Sequence, residues 1–299
     1  MTPDRQSVVS GLEMDGARPP AGGGRVKKAS GWRLFIKTVL ARAYPRVIGQ
    51  QREKTWVFFE ILLPMLAVSA YVFVYRAIGA PEEYVGFVVI GGAMTAFWMN
   101  VLWSMSSQLY WEKETGNLGL YIMAPNSMMA ILLGMALGGL FAASLRAAAV
   151  ILLGNLFFNV QFSISSFTQL FAVFILAMVA LYGMGMMFAS LFLLLGREAW
   201  HLSSLAQEPV FLFSGFYFPV RSFNFWVAAV ASLIPLTLGL DAMRQLAFPS
   251  GAELGFLPVP VELGILAGLG AVFLTASYYL LAHMERLAIR EGRITESRR

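Results

Sequence analysis

The stretch Met128-Met-Ala-Ile-Leu-Leu-Gly-Met-Ala-Leu-Gly-Gly-Leu-Phe-Ala-Ala-Ser-Leu-Arg-Ala-Ala-Ala-Val-Ile-Leu-Leu-Gly-Asn-Leu-Phe-Phe158 carries one charge, Arg146, along its whole length. About 20 consecutive apolar residues suffice to cross a hydrocarbon core, so this run reads as a membrane-spanning helix. Working outward, the runs 56–75 and 84–109 precede it, and 167–195, 202–218 and 261–283 follow it, each predominantly apolar. Composition agrees: 58% of residues are apolar and 13% are charged, against about 25% charged in soluble globular chains. The sequence therefore predicts an all-α polytopic membrane protein with six transmembrane helices.

Charge sets the expected orientation. Eighteen Lys and Arg residues fall in the N-terminal segment, the alternate loops holding Lys113 and Arg197, and the C-terminal tail, against Arg76, Arg221 and Arg244 on the other side. The positive-inside bias then places both termini in the cytoplasm. The net charge of +5 is an orientation signal rather than a nucleic-acid footprint, because no basic patch interleaved with aromatics lies away from the membrane flanks. The first thirty residues are polar and Gly/Pro-rich, with no short apolar core of a signal peptide. The chain has no cysteine, which excludes disulfides, thiolate metal sites and cysteine catalysis.

The remaining segments divide the chain. Residues 1–30 lack apolar periodicity and read as a disordered cytoplasmic tail. Residues 31–54 read as an amphipathic interfacial helix: Trp32, Phe35, Ile36, Val39 and Leu40 recur at helical spacing, and Arg33, Lys37, Arg42, Arg46 and Arg52 suit anionic headgroups. Pro45 is expected to kink or end its regular part. Residues 55–285 form the six-span unit, and 286–299 a cytoplasmic C-terminal tail. Between spans five and six, 223–234 and 236–248 are too apolar for an exposed loop and too short to cross. Two short helices broken at Pro235 and dipping in from the outer face satisfy the backbone, a re-entrant helical hairpin. A hairpin lying on the membrane surface is the alternative.

The most informative polar segment is Tyr110-Trp-Glu112-Lys-Glu114-Thr-Gly116-Asn117-Leu118-Gly-Leu-Tyr-Ile-Met-Ala-Pro125. A short helix over 112–122 would place Glu112 and Glu114 at its positive end and Leu118, Tyr121 and Ile122 on an apolar face. Such a helix can dock into a partner's groove, or the segment is a solvated loop at the aromatic belt.

This segment, ending in Ala124-Pro125 before the next span, resembles the coupling loop of ABC-2 family exporter permeases. Farther on, Ser214-Gly-Phe216-Tyr217-Phe218-Pro219, Ile234-Pro235-Leu236 and Asp241-Ala-Met-Arg244 resemble that family's fifth-span exit and outer re-entrant segment. The resemblance covers residues 31–285. It implies a half-transporter whose cytoplasmic loops engage separate ABC ATPase subunits. ATP and magnesium would be bound there and no cofactor by this chain, which would pair with a second permease protomer, identical or related, in the cell membrane. It further implies that Glu112, Glu114, Gly116, Asn117 and Leu118, with Arg197 and Glu198 in the second cytoplasmic loop, form the ATPase-coupling contact. Phe213, Phe216, Tyr217 and Phe218 would then constrict the route near its outer exit, and Pro219, Pro235, Asp241 and Arg244 mark the re-entrant hairpin.

The residues read by themselves are consistent with a permease that cannot power itself. No G-x-x-x-x-G-K-[ST] phosphate loop occurs, and Gly22-Gly-Gly-Arg-Val-Lys-Lys lacks the strand that would orient its amides. Asn100, Ser104 and Ser107 fall at i, i+4 and i+7, so one face of the second span either lines a path or bonds to a neighbouring helix. Gly134 and Gly138 form a G-x-x-x-G packing face. Met184, Met186 and Met187 read as adaptable packing. Counting about 1.5 Å per residue from Met128 puts Arg146 roughly 27 Å up, where snorkelling to the outer headgroups would suffice. His201 and His283 have no acid or second His beside them and read as helix-end polar residues rather than metal ligands. An ion-coupled carrier normally needs acids inside its spans, and an intramembrane enzyme a nucleophile-and-base pair; neither is evident. The apolar span faces favour a hydrophobic or amphiphilic cargo over a polysaccharide or glycolipid.

Overall fold

The charge-free runs fold as helices, and no strand occurs among the described residues. The computed structural model describes residues 31–123, 127–195 and 198–291; the 1–30 tail, Arg197, Ala124-Pro125 and the last residues of the C-terminal tail lie outside these. Helix α1 (Trp32–Arg52) is followed by α2 (Lys54–Ala77) and α3 (Glu83–Met99). A wide π-helical stretch, Asn100–Met105, carries α3 into two short helices, α4 (Gln108–Glu114) and α5 (Asn117–Met123). Then come α6 (Met128–Phe158), α7 (Phe167–Leu195) and α8 (Glu198–Phe213). The chain finishes with α9 (Phe225–Ala231), α10 (Pro235–Ala247), α11 (Gly251–Leu254) and α12 (Val259–Glu291).

Among the described residues, five helices are long and apolar enough to cross a membrane: α2, α3 with its continuation to Glu114, α6, α7 and α12. The run at 202–218 behaves differently. Its helix starts earlier and stops at Phe213, giving 16 residues, short of the roughly 20 that a span needs. Gly215, at φ +73°, takes the left-handed conformation open to glycine and ends the helix in a turn. Even so, α8 with that turn runs the length of the bundle. Trp200 at its start stacks on Trp103 of the π-helical stretch, and Tyr217 past its end receives the Tyr75 hydroxyl at 2.8 Å from the far end of α2.

Helices α9 and α10 meet at 109° across residues 232–234 and count as a sixth span only if taken as one bent element. Pro235 sits at the first position of α10, where its missing N–H costs nothing. Nearly all of α10 is buried, Leu236, Leu238, Leu240 and Ala242 completely, so it belongs to the interior rather than to a surface-lying hairpin. Helix α9 instead exposes Phe225, Trp226 and Val230.

Three sequence expectations are corrected here. Pro45 neither ends nor breaks α1, which continues to Arg52. The basic face of that helix is not wholly given to headgroups, because α1 lies along α6. A side chain at Gly134 or Gly138 would collide with Val39 O, Ala43 O or the Cβ atoms of Arg42 and Arg46. The G-x-x-x-G face therefore packs closely, as expected, and its partner is α1. Arg146, finally, does not snorkel. It is 3% exposed and pairs with Glu60 of α2 at 2.8 Å. The expectation failed because hydropathy does not show that Glu60 of α2 lies within reach as a counter-charge.

Candidate functional site

At the end of the bundle where α4 and α5 hang, Glu112 is the centre of a polar knot. Its residue is 7% exposed, yet its carboxylate takes four donors. Oε1 accepts from Arg42 Nη2 of α1 at 2.9 Å and from Gln108 Nε2 at 3.0 Å. Oε2 accepts from Asn117 Nδ2 at 3.2 Å and from the Tyr121 hydroxyl at 3.0 Å, both on α5. The Arg42 guanidinium also sits 4.7 Å from the centre of the Tyr121 ring, within cation–π range. Burial pushes the Tyr121 hydroxyl above its ordinary pKa, which keeps it a donor to the carboxylate.

One turn along α1, Arg46 carries the knot into the bundle. It donates to Gln108 Oε1, to Ser104 Oγ and, at 3.0 Å, to Ser104 O. Burial lowers its pKa to about 10, so the guanidinium stays charged at neutral pH. The helix is widened there: the Ser106 N–H reaches back five residues to Val101 O at 3.0 Å. Single wide turns inside α-helices recur at functional sites.

The same stretch touches every neighbouring helix. Asn100 Oδ1 accepts from the Tyr182 hydroxyl of α7 at 3.1 Å. Trp103 Nε1 donates to Gln207 Oε1 of α8 at 2.8 Å, and its ring stacks on Trp200 at 5.7 Å. Trp111, Tyr110 and Phe192 complete an aromatic cluster around Trp200. One helical turn thus holds α1, α7 and α8 through three adjacent side chains.

The segment expected to form one helix over 112–122 is two helices. Gly116, at φ +77°, turns the chain between α4 and α5, a conformation that costs glycine little. Glu114, Gly116 and Asn117 are exposed at this tip, whereas Leu118 is 2% exposed and belongs to the core. Glu112 faces inward, toward α1 and α5. Glu198 lies in the first turn of α8, and His201 and His283 are exposed on separate helices. Asn100, Ser104 and Ser107 do not share one open face: the wide turn sends Asn100 toward α7 and Ser104 toward α1, while the Ser107 hydroxyl donates to Trp103 O at 2.6 Å.

At the far end, Arg244 of α10 is 2% exposed and donates to backbone oxygens only: Gly215 O at 2.6 Å, Phe216 O at 2.8 Å, Phe87 O at 2.9 Å and Phe218 O at 3.3 Å. Gly91 on α3 leaves room for the Phe216 carbonyl that this bond draws in. Asp241 Oδ2 accepts from Phe256 N at 2.7 Å and Gln245 Nε2 at 2.9 Å, tying α10 to the connection before α12. The aromatic run divides: Phe216 is fully buried and Tyr217 stacks on Tyr71 at 4.2 Å, while Phe213 and Phe218 reach toward Phe223 at the surface.

Arg42, Arg46, Gln108, Trp103, Gln207 and Trp200 were not singled out as site residues by the sequence. One signal was available: Arg42 and Arg46 repeat the four-residue spacing of Gly134 and Gly138, the face they pack on.

This arrangement defines a class, a multi-pass helical membrane protein with a two-helix element at one end wired into its core. The sequence model described as ABC-2 type transporter matches residues 35–248, and the chain belongs to that family. It is a membrane permease component of an ABC transporter and not a catalytic domain, and permeases of this family associate with ABC ATPase subunits. No curated protein matches the chain.

Proposed function

We propose that this chain is the permease subunit of an ATP-driven exporter that moves a hydrophobic or amphiphilic compound out of the cytoplasm by alternating access. The observation that carries this reading is the pair α4–α5. Its tip, with Glu114, Gly116 and Asn117, is exposed to a partner, while Glu112 binds the same element to α1. From there Arg46 leads to the wide turn of α3, and Trp103 to α8. A nucleotide-driven push on the tip therefore reaches the helices proposed to flank the route.

In this reading the α4–α5 end and both termini face the cytoplasm, and the partner ATPase binds ATP and magnesium. The second contact is made by Arg197 and Glu198. Two protomers assemble about a two-fold axis in the cell membrane, with α3 and α8 of each beside the route. Asn100, Ser104 and Ser107 lie on the continuation of α3 toward α4, and Phe213 and Phe218 give the apolar constriction its surface, backed by Phe216 and Tyr217. Helices α9 and α10, with Pro219, Pro235, Asp241 and Arg244, form the re-entrant segment at the outer exit.

The test is reconstitution with the cognate ATPase in lipid nanodiscs or proteoliposomes. Substrate should stimulate ATP hydrolysis, and removal of the ATPase should abolish transport. Replacing Glu112 and Glu114 together with Ala should leave hydrolysis running with transport lost; unchanged transport with normal hydrolysis defeats the assignment.

A further inference from the structure

The consecutive helices α6 and α7 do not pack along one another. Helix α6 leans on α1 and α3, α7 leans on α12 and α10, and a half-enclosed cavity of about 510 Å³ opens between them. Its floor is α3, through residues such as Ile90 and Phe97, and Met243 of α10 forms part of the wall. The 159–166 connection roofs it. That connection is fixed by hydrogen bonds from Ser163 N to Ala247 O and from Ser165 N to Leu246 O, both 2.9 Å. Ala148 of α6 and Phe171 of α7 stand exposed at the lip.

The chemistry of the lining restricts what can enter. Ser144 is its one polar side chain, and its hydroxyl is turned back onto Leu140 O of the same helix at 2.8 Å. Sites for polar small molecules carry a few placed donors and acceptors that fix orientation, and this one offers none. An α-helix is about 10–12 Å across with its side chains, so a cavity of this volume takes barely one of its turns, which rules out a helix of a second copy as occupant. The opening lies on the side of the bundle between two spans, where a multi-pass chain meets hydrocarbon.

We propose that this cavity is a binding site for a single lipid acyl chain, which enters between α6 and α7 and packs against α3 and α10. Such a chain replaces the helix–helix contact that α6 and α7 lack. It also backs the face of α10 next to Arg244, so the far-end segment depends on bound lipid. The inference rests on the membrane location alone and not on ATP-driven export.

The full chain in phosphatidylcholine nanodiscs, with a minor fraction of the lipid bearing a diazirine midway along one acyl chain, tests it by mapping photo-adducts. Adducts should concentrate several-fold at the cavity residues over the exposed α2 positions Leu63 and Phe73. Ala148→Trp, which fills the lip from an exposed position, should lower the cavity adducts several-fold and leave the α2 adducts unchanged. Ile151→Phe provides a second filling variant. Free long-chain fatty acid should compete for the cavity, and glycerophosphocholine, a headgroup without chains, should not. Equal labelling of both faces, indifference to both filling variants, competition by the headgroup, or protein–protein cross-links through these positions would overturn the proposal.

Discussion

Arginine ties together both ends of this bundle, half-buried at one and fully buried at the other, and its partners differ. At the α4–α5 end Arg42 and Arg46 bond mainly to side chains: Glu112, Gln108 and the Ser104 hydroxyl. At the far end Arg244 bonds to four backbone carbonyls. Backbone acceptors are fixed once the chain path is set, and each left bare in the interior carries its full desolvation penalty. Side-chain acceptors can rotate away and exchange partners. One end is therefore built as architecture, and the other as a joint whose bonds can be traded.

The largest effect is expected at Arg244. Arg244→Met should strip donors from three buried oxygens and one half-buried one and destabilise the chain by about 3 kcal/mol or more, read as a fall in melting temperature and in the monodisperse fraction in detergent. Arg244→Lys should not rescue it, since a compact ammonium cannot serve the spread of acceptors that a planar fork reaches. Next comes Glu112→Gln, which keeps the shape and removes the charge facing Arg42. A loss of about 1–2 kcal/mol is expected, with a folded protein whose transport drops more than its stability. Smallest is Trp103→Phe, which deletes only the Nε1 donor to Gln207. About 1 kcal/mol or less should be lost, while coupling of hydrolysis to transport weakens measurably. If Arg244→Met proves mild and Glu112→Gln prevents folding, the contrast between the two ends is the wrong way round.

Much of this was legible in the sequence because bilayer physics is severe. The runs at 56–75, 84–109, 128–158, 167–195 and 261–283 had to be helices, and all five are. Pro235 marked the break between α9 and α10, whereas Gly116 splits the single helix expected over 112–122 into two. What hydropathy could not show was which neighbour each polar side chain meets. Arg42 and Arg46 have the spacing of a headgroup-facing stripe, and only the glycines of α6 bring them inward. Arg146 was read as snorkelling because the sequence does not show that Glu60, 86 positions earlier, meets it inside the bundle. The wide turn at Asn100–Met105 left no compositional trace, since its register depends on tertiary partners at Tyr182, Gln207 and Arg46. The end of α8 at Phe213 was written in Ser214-Gly215, but an apolar run continuing to Phe218 hid it.

The seating of α1 on Gly134 and Gly138 also orders the steps of biosynthesis. Arg46 leaves the ribosome well before its acceptor at Gln108, 62 positions later, and before the surface it rests on. At about 5–20 residues per second, α1 waits several seconds with neither in place. During that interval it is a cationic amphipathic helix beside an anionic bilayer, and headgroups are its natural temporary counter-ions. A lipid contact of the kind expected from its sequence would then belong to the nascent chain and give way to Glu112, Gln108 and Ser104 once α6 is inserted. A chain truncated before Gly138 would retain that first state.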